Sequence, residues 1–321
     1  MSDQINLSAV IPDGLGNRRL DQIAAELFPD FSRARLQTWI KDGQLTVDGK
    51  AGKPKDKAFG GQVLTIAAEL QDEGTWEAQD INLDVVYEDE HILVINKPAD
   101  LVVHPAAGNY DGTLLNGLLH HCPELIKIPR AGIVHRLDKD TTGLMVVAKT
   151  LQAQNHLVEQ LQSREMGREY EAIVMGVMTG GGTVEQKIGR HPRDRLKMAV
   201  TNTGKEAITH YRVLQKFRAH THIRLKLETG RTHQIRVHMA YIQYPIVGDQ
   251  LYASRTRLPK GVSEELRTRL RDFPRQALHA RQLELYHPAT NELVSWEVPL
   301  AADFIELLEV LREDVLNADL D

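Results

Sequence analysis

Apolar positions along this chain alternate between two spacings. Over residues 18–28, RRLDQIAAELF sets Leu20, Ile23, Ala24, Leu27 and Phe28 on one helical stripe. Pro29-Asp30 breaks it, and Ser32 is placed to cap a second helix, RARLQTWIKDG, with Leu36, Trp39 and Ile40 inward and Gly43 at its end. Short apolar runs follow at Leu45–Val47 and Val63–Ile66 and read as strands. Residues 71–79 are acidic and carry no apolar period, as a linker would. This divides the chain into a small unit, residues 1–70 with its core at 18–66, and a larger one, residues 80–321, with the boundary near Thr75.

The larger unit begins with two strands around an acidic turn in Val85–Lys97, the second closed by Pro98, which lacks a ladder donor. A Gly- and Pro-rich loop from His104 to Gly112 and a short helix at Thr113–His120 come next. Two apolar runs, Ile133-Val134 and Leu144–Ala148, read as strands flanking a polar loop. Leu151–Gln162 is an amphipathic helix, and Arg168–Val174 a strand with Tyr170, Ala172 and Val174 on one face. Strands are expected at 207–214 and 221–228, a helix from about Thr232, more strands over Ala277–Pro299, and an acidic helix in the tail.

The loop between the central runs, in GIVHRLDKDTTGLMVVAK, carries His135, Arg136, Asp138, Lys139 and Asp140. Charges wedged between core strands are costly unless each finds a partner. A solvated hairpin turn is the plain reading. Calcium is a second, since Asp138, Asp140, Thr142 and Gly143 imitate half of an EF-hand loop, but Lys149 stands where its last ligand belongs. A catalytic carboxylate is the third. Zinc at His233 and His238 is disfavoured, because five residues separate them and no acid lies between.

Composition changes this picture in two ways. The single cysteine, Cys122, excludes a disulfide framework and points to a reducing cytosol, and MSDQINLSAV has neither a basic region nor a long apolar run of a signal or membrane segment. The net charge of −5 argues against nucleic acid, but its distribution does not. Residues 58–96 carry nine acids and no Lys or Arg, whereas residues 187–231 carry twelve cations against three acids. That basic stretch, most of it expected on the strands at 207–214 and 221–228, is a candidate phosphate-binding face. A second basic stretch at 253–275 (Arg255, Arg257, Lys260, Arg267, Arg269, Arg271, Arg275) is either an RNA-facing loop or solvated.

Three strings together resemble a known family. HRLDKDTTG, the REYEA string at Arg168–Ala172, and GRTHQIR at Gly230–Arg236 are similar to the signatures of the RluA-type pseudouridine synthases. The helix-helix-strand unit resembles the S4 RNA-binding domain, which implies RNA contacts from Arg33, Arg35 and Lys41. The resemblance implies isomerisation of uridine in RNA, with Asp138 as the catalytic aspartate, Arg236 as its cationic partner and Tyr170 stacking on uracil and assisting proton transfer at C5. It further implies an α+β fold whose mixed, largely antiparallel sheet carries a central cleft, with Lys97 lining the cleft or capping its strand, His135 and Arg136 holding the loop or contacting RNA phosphate, and substrate contacts from Arg231, His233 and Gln234. Asp140 is expected to organise the loop. The pattern is most similar to members acting on the large-subunit rRNA stem-loop called helix 69, in free RNA or an assembling subunit. A monomer is expected, and the reaction is redox-neutral, so neither cofactor nor metal is implied.

Chemistry gives these roles a reason. The target base must be flipped out of its stack to expose the glycosidic bond, at a cost of roughly a few kcal/mol. A carboxylate near the ribose can then act as nucleophile or as base; the residues leave both open. A guanidinium beside it keeps it ionised. A non-catalytic RNA-binding or ribosome-assembly factor would keep the S4-like unit but break the Asp, Tyr or Arg positions, all three of which are present.

Overall fold

The structure, a computed structural model, describes residues 4–28, 31, 33–69, 76–106, 108–253, 258 and 261–318. The expected helix break at Pro29-Asp30, the Ser32 cap, most of the acidic linker, and Arg255, Arg257 and Lys260 lie outside them.

The small unit runs β1 (Gln4–Val10), β2 (Arg18–Arg19), α1 (Leu20–Leu27), α2 (Arg33–Lys41), β3 (Leu45–Val47), β4 (Lys50–Ala51), β5 (Lys57–Ala58) and β6 (Val63–Glu69). Its main sheet has the order β1-β6-β3-β4, and β2 pairs with β5. The stripe residues Leu20, Ile23, Leu36 and Ile40 pack against Leu45, Leu64 and Ile66, all at most 1% exposed. β1 was not foreseen. It is an edge strand with Leu7 and Val10 exposed, so its tie to the sheet is the seven-residue ladder to β6 rather than an apolar face.

The large unit continues with β7 (Val85–Glu88), β8 (Ile92–Lys97), α3 (Leu114–His121), β9 (Thr142–Ala148), α4 (Leu151–Ser163), β10 (Gly167–Met175), β11 (Gly182–Glu185), β12 (Ile188–Arg190) and β13 (Met198–Val200). It ends with β14 (Ile208–Lys216), β15 (His220–Leu227), α5 (Gln234–Tyr241), α6 (Glu264–Asp272), β16 (Leu278–Tyr286), β17 (Leu293–Glu297) and α7 (Ala302–Ala318). The large sheet has the order β11-β14-β15-β10-β16-β9-β8-β7, with β17 also on β16. Its ladders are antiparallel except β16 with β9, which is parallel at His279–Thr142 and Ala280–Gly143. All seven residues of β9 are buried, so the polar loop before it hangs on the middle of the sheet. Among the described residues no helix is long and apolar enough to cross a membrane.

One expected strand is absent. Ile133 makes a single bridge to Val147, and a 3-10 turn, Pro129–Gly132, precedes it. Arg130, Ala131 and Gly132 all have positive φ, which turns the chain across β9 instead of along it. A Cβ on Gly132 would lie 1.9 Å from the Ala148 carbonyl oxygen. At the far end of the loop Gly143 has φ +111°, and a Cβ there would lie 2.2 Å from the Ala280 carbonyl oxygen. Both ends of the loop are thus fixed by backbone approaches that exclude any side chain.

The basic stretch at 187–231 is not one face. Six of its cations (Lys187, Arg190, Arg193, Arg195, Lys197, Lys205) lie around the β12–β13 hairpin rather than on the two long strands. Of those on or near the strands, Arg224 is held by Glu171 at 2.8 Å and Arg218 by the buried Asp314 at 3.1 Å.

Candidate active site

The polar loop, β10 and the turn leading into α5 enclose a cleft of about 580 Å³, within the range of small-ligand sites. Asp138 and Tyr170 line it, with Arg130, Arg136, Arg164, Arg168, Arg231 and Arg236. An acidic chain has thus gathered its cations around one hollow.

Asp138 is set by a backbone built to hold it. Thr141 N–H donates to the Asp138 carbonyl, closing a turn, and Gln276 donates to the Thr141 hydroxyl at 3.0 Å. Arg275, 4% exposed, reaches the Asp140 carbonyl at 3.2 Å while Asp303 grips its other nitrogens at 2.6 and 2.7 Å. Arg275 is therefore a buried strut of this loop and not part of an RNA-facing insertion.

Arg236 donates to Asp138 at 2.9 Å. The expected bidentate grip goes elsewhere: Nε and Nη2 of Arg236 bind the two oxygens of Asp249 at 2.7 and 2.9 Å. Asp249 is fully buried, whereas the Asp138 side chain is 18% exposed, so Asp138 is the acid that a ligand in the cleft can meet. Asp249 Oδ1 also accepts the N–H groups of Leu251 and Tyr252, which fixes the turn beneath the guanidinium. Burial works against the Arg236 charge, but the two carboxylates outweigh it and raise its pKa, so it stays a cation. Its guanidinium also lies 5.1 Å over the Tyr252 ring.

His233 has φ 55° and leads into α5. Its Nε2 is 3.8 Å from Asp138 Oδ1 and its Nδ1 is 2.7 Å from the Tyr252 hydroxyl. That hydroxyl also accepts the Met198 N–H at 2.9 Å. Burial lowers the His233 pKa despite Asp138. Tyr170 is 6% exposed and lines the cleft from β10, where the pairing with β16 shifts register between Glu169 and Tyr170. Such irregularities re-aim side chains beside active sites. Burial pushes its phenol pKa up, so it is a neutral donor at neutral pH.

Several residues expected at the substrate carry structural bonds. Lys97 is 1% exposed and absent from the cleft wall. Its ammonium donates to the carbonyls of Pro98, Leu101 and Lys139 at 2.7, 2.9 and 2.8 Å, tying β8 to the loop. Gln234 accepts from the Thr229 hydroxyl and the Arg231 N–H and donates to Ile208 and Thr209, so no polar atom is spare for RNA. His135 accepts the Val146 N–H at 3.1 Å, and burial drops its pKa to about 3, so it is a neutral anchor of the loop. His135, Gln234, Arg136 and Arg231 all line the cleft, and Arg136 is exposed.

In the small unit Arg33 is half committed. Asp21, fully buried, takes bonds from Arg19, Arg33 and Gln37. Burial pushes its pKa up, but these donors hold it well below the usual carboxylate range. Arg35 stacks 5.8 Å over Trp39, and Lys41 is exposed.

Asp249, Tyr252, Arg275 and Arg168 were missed. Each stands outside the dense strings or at a signature position read only as pattern, and gains meaning when the fold buries it.

Comparison with known proteins decides the family. Residues 91–241 match the RNA pseudouridylate synthase family and residues 18–63 the S4 domain. The chain is 63% identical over 314 residues to ribosomal large subunit pseudouridine synthase D of Pseudomonas aeruginosa, with 98% of each covered. The chain is an RNA pseudouridine synthase of the RluA family. The protein of the same name in Escherichia coli K12 is 57% identical over 315 residues, covering 98% of this synthase and 97% of that one. Among solved structures, human RNA pseudouridylate synthase domain containing 4 superposes with a TM-score of 0.55 at 28% identity, covering 71% of this synthase and 92% of that chain. The S4 match and the synthase match fall on separate stretches of this enzyme.

Lys97 gives a test of how the loop is supported. Lys97→Met leaves the buried Leu101 carbonyl and the half-buried Pro98 and Lys139 carbonyls without their donor, at about 1–3 kcal/mol for a buried unmet group. Burial, opposed by Asp140 and Asp138, lowers the lysine pKa from 10.5 to about 7 in the fold. Between those values the unfolded chain binds the extra proton, so Lys97 makes stability rise with pH. Urea unfolding should therefore show a less stable Lys97→Met variant, with a flatter pH slope over that window. An unchanged midpoint and slope would contradict the strut.

Proposed function

We propose that this synthase modifies uridines of large-subunit rRNA, in the stem-loop called helix 69, with Asp138 acting on the ribose of the flipped nucleotide. The observation that carries the site assignment is Asp138 itself: a partly exposed carboxylate in a cleft rimmed by arginines, held by Arg236 at 2.9 Å. The rRNA substrate is supported by the names of the relatives.

The flipped base enters the cleft, and rim arginines offset part of the flipping cost through phosphate contacts. Asp138 then attacks C1′ or takes a proton from C2′. The N1–C1′ bond breaks and the base turns; C5 then bonds to C1′, displacing Asp138 from C1′ in the first case or with the C2′ proton returned in the second, after which the C5 proton leaves and N1 takes one up. Tyr170 offers a flat face to uracil and a neutral phenol. The S4 unit supplies further phosphate contacts through Arg35 and Lys41.

The test is tritium release from C5-labelled uridine in a helix 69 transcript, beside other large-subunit stem-loops. Release from helix 69 and little from the others is expected; equal release from all would overturn the target. Affinity should fall at least about 100-fold between about 50 and 200 mM salt, because the cleft and hairpin cations displace counterions. A flat response would contradict the phosphate-contact account.

A further inference from the structure

One buried cation of the cleft has no acceptor among the described residues. Arg168 is 6% exposed, lines the cleft wall, and among the described residues has no hydrogen-bond or ion-pair partner for its guanidinium. Its buried Nε is unsatisfied. The other cleft arginines differ. Arg236 binds two carboxylates, Arg164 reaches Glu206 and Glu228 at 3.2 Å, Arg231 donates to the Glu206 carbonyl at 2.9 Å, and Arg130 and Arg136 are exposed. A buried, unpaired guanidinium is costly, and the fold nevertheless makes room for it. A Cβ on Gly230 would lie 2.7 Å from Arg168 Nη1, and Gly230 has no positive φ that would itself require glycine. The glycine is a seat for the guanidinium. Arg168 and Tyr170 stand two residues apart on β10 and line the same cleft.

We propose that Arg168 is the cation that meets the negative charge of the detached uracil. Isomerisation of an N-glycoside to a C-glycoside creates that charge. When N1–C1′ breaks, the base departs with the bonding pair as uracilate, its charge spread over N1, O2 and O4. The charge is consumed when C5 bonds to C1′, after which the C5 proton leaves and N1 takes one up. No oxidant or reductant is required. A planar fork in a water-poor wall suits N1 and O2, two adjacent acceptors that share the charge of the planar anion. The rim arginines are better placed for phosphates, which stay solvated, and the wall position beside Tyr170 is that of the base. Burial also lowers the Arg168 pKa with no carboxylate to oppose it, as expected for a site completed by its ligand. This inference rests on the reading that the cleft holds the flipped nucleotide.

The experiment compares uridine with 5-fluorouridine in one stem-loop, under single turnover with enzyme in excess, scoring C-glycoside by nucleoside analysis; the fluorinated C5 has no proton to lose, so its product is the C-glycoside with water added across C6 and N1. The 5-fluorouracil anion is more stable, so its departure needs less help. Arg168→Met should slow the uridine reaction by about 100- to 1,000-fold, the scale of one removed stabilising donor, with RNA affinity within about threefold of wild type. On 5-fluorouridine the loss should shrink by at least about tenfold. Arg168→Lys, which keeps charge without the fork, should lie between. Gly230→Ala, which keeps the arginine but takes its seat, should repeat the pattern. Equal losses on both substrates, or losses confined to affinity, would overturn the proposal. Wild-type turnover on the same RNA tests the reading of function separately, since it does not depend on how the variants differ.

Discussion

Replacing Asp138 by asparagine should abolish pseudouridine formation and leave RNA binding and folding intact. Asparagine matches the volume and can still accept the Arg236 hydrogen bond at the oxygen now 2.9 Å away. What it removes is the charge needed at the sugar, either as a nucleophile or as a base. The fold should tolerate the change because Arg236 keeps its paired bonds to Asp249. RNA binding should tolerate it because the rim arginines are untouched. Activity below about one thousandth of wild type is expected, the scale on which removal of a reacting group is felt. Filter binding and nucleoside analysis on the same preparation separate the two properties. Loss of both together would show that Asp138 is structural.

Arg236→Leu should fail differently, losing activity and stability at once. It strands Asp249, a fully buried carboxylate, with only two backbone N–H partners. Leaving one member of a buried ion pair uncompensated costs about 3–5 kcal/mol. Pairing it with Asp249→Leu removes the stranded charge and should recover much of that stability in urea unfolding, since an apolar pair often substitutes for a buried ionic one. Activity should stay absent, because Asp138 still lacks its cation. A double variant that regained activity would show that Arg236 serves only the fold.

The contrast between Asp138 and Asp249 shows where sequence reading succeeded and where it stopped. Asp138 and Arg236 are 98 residues apart, yet both sit in strings dense enough to be read from resemblance. Asp249 is 13 residues beyond Arg236 in a loop with no such string, and its role arises only when the turn at Leu251-Tyr252 is buried against the guanidinium. Lys97 and Gln234 were taken as substrate contacts because they lie in or near signature strings. The fold spends their donors and acceptors on backbone and neighbouring side chains. A position in a motif thus marks either a group that meets the ligand or the scaffold that holds one, and the bonds a side chain already makes distinguish the two.

Element reading had the same limit. The helical stripes of α1, α2 and α4, the alternation of β10 and the two-strand pattern of β7–β8 were legible because their periods are local. Ile133-Val134 was misread because a two-residue apolar run carries no period, and the left-handed backbone before it decides the path. β1 was invisible because an edge strand can be held by ladder bonds with little apolar burial. The charge run at 187–231 was counted correctly but placed wrongly, since formal charge does not say which cations Glu171 and Asp314 have already taken.

The most direct measurement sets Asp138→Asn against Asp140→Asn in tritium release from C5-labelled uridine in a large-subunit rRNA transcript, with RNA binding measured alongside. Among the described residues the Asp140 side chain has no hydrogen-bond partner; it enters chiefly as a charge near Lys97, and Arg275 holds its backbone carbonyl rather than its carboxylate. Asp140→Asn should therefore keep substantial activity. Full binding with no release from Asp138→Asn, beside release from Asp140→Asn, is the result expected. An active Asp138→Asn, or a dead Asp140→Asn that still binds, would contradict the assignment of the catalytic carboxylate.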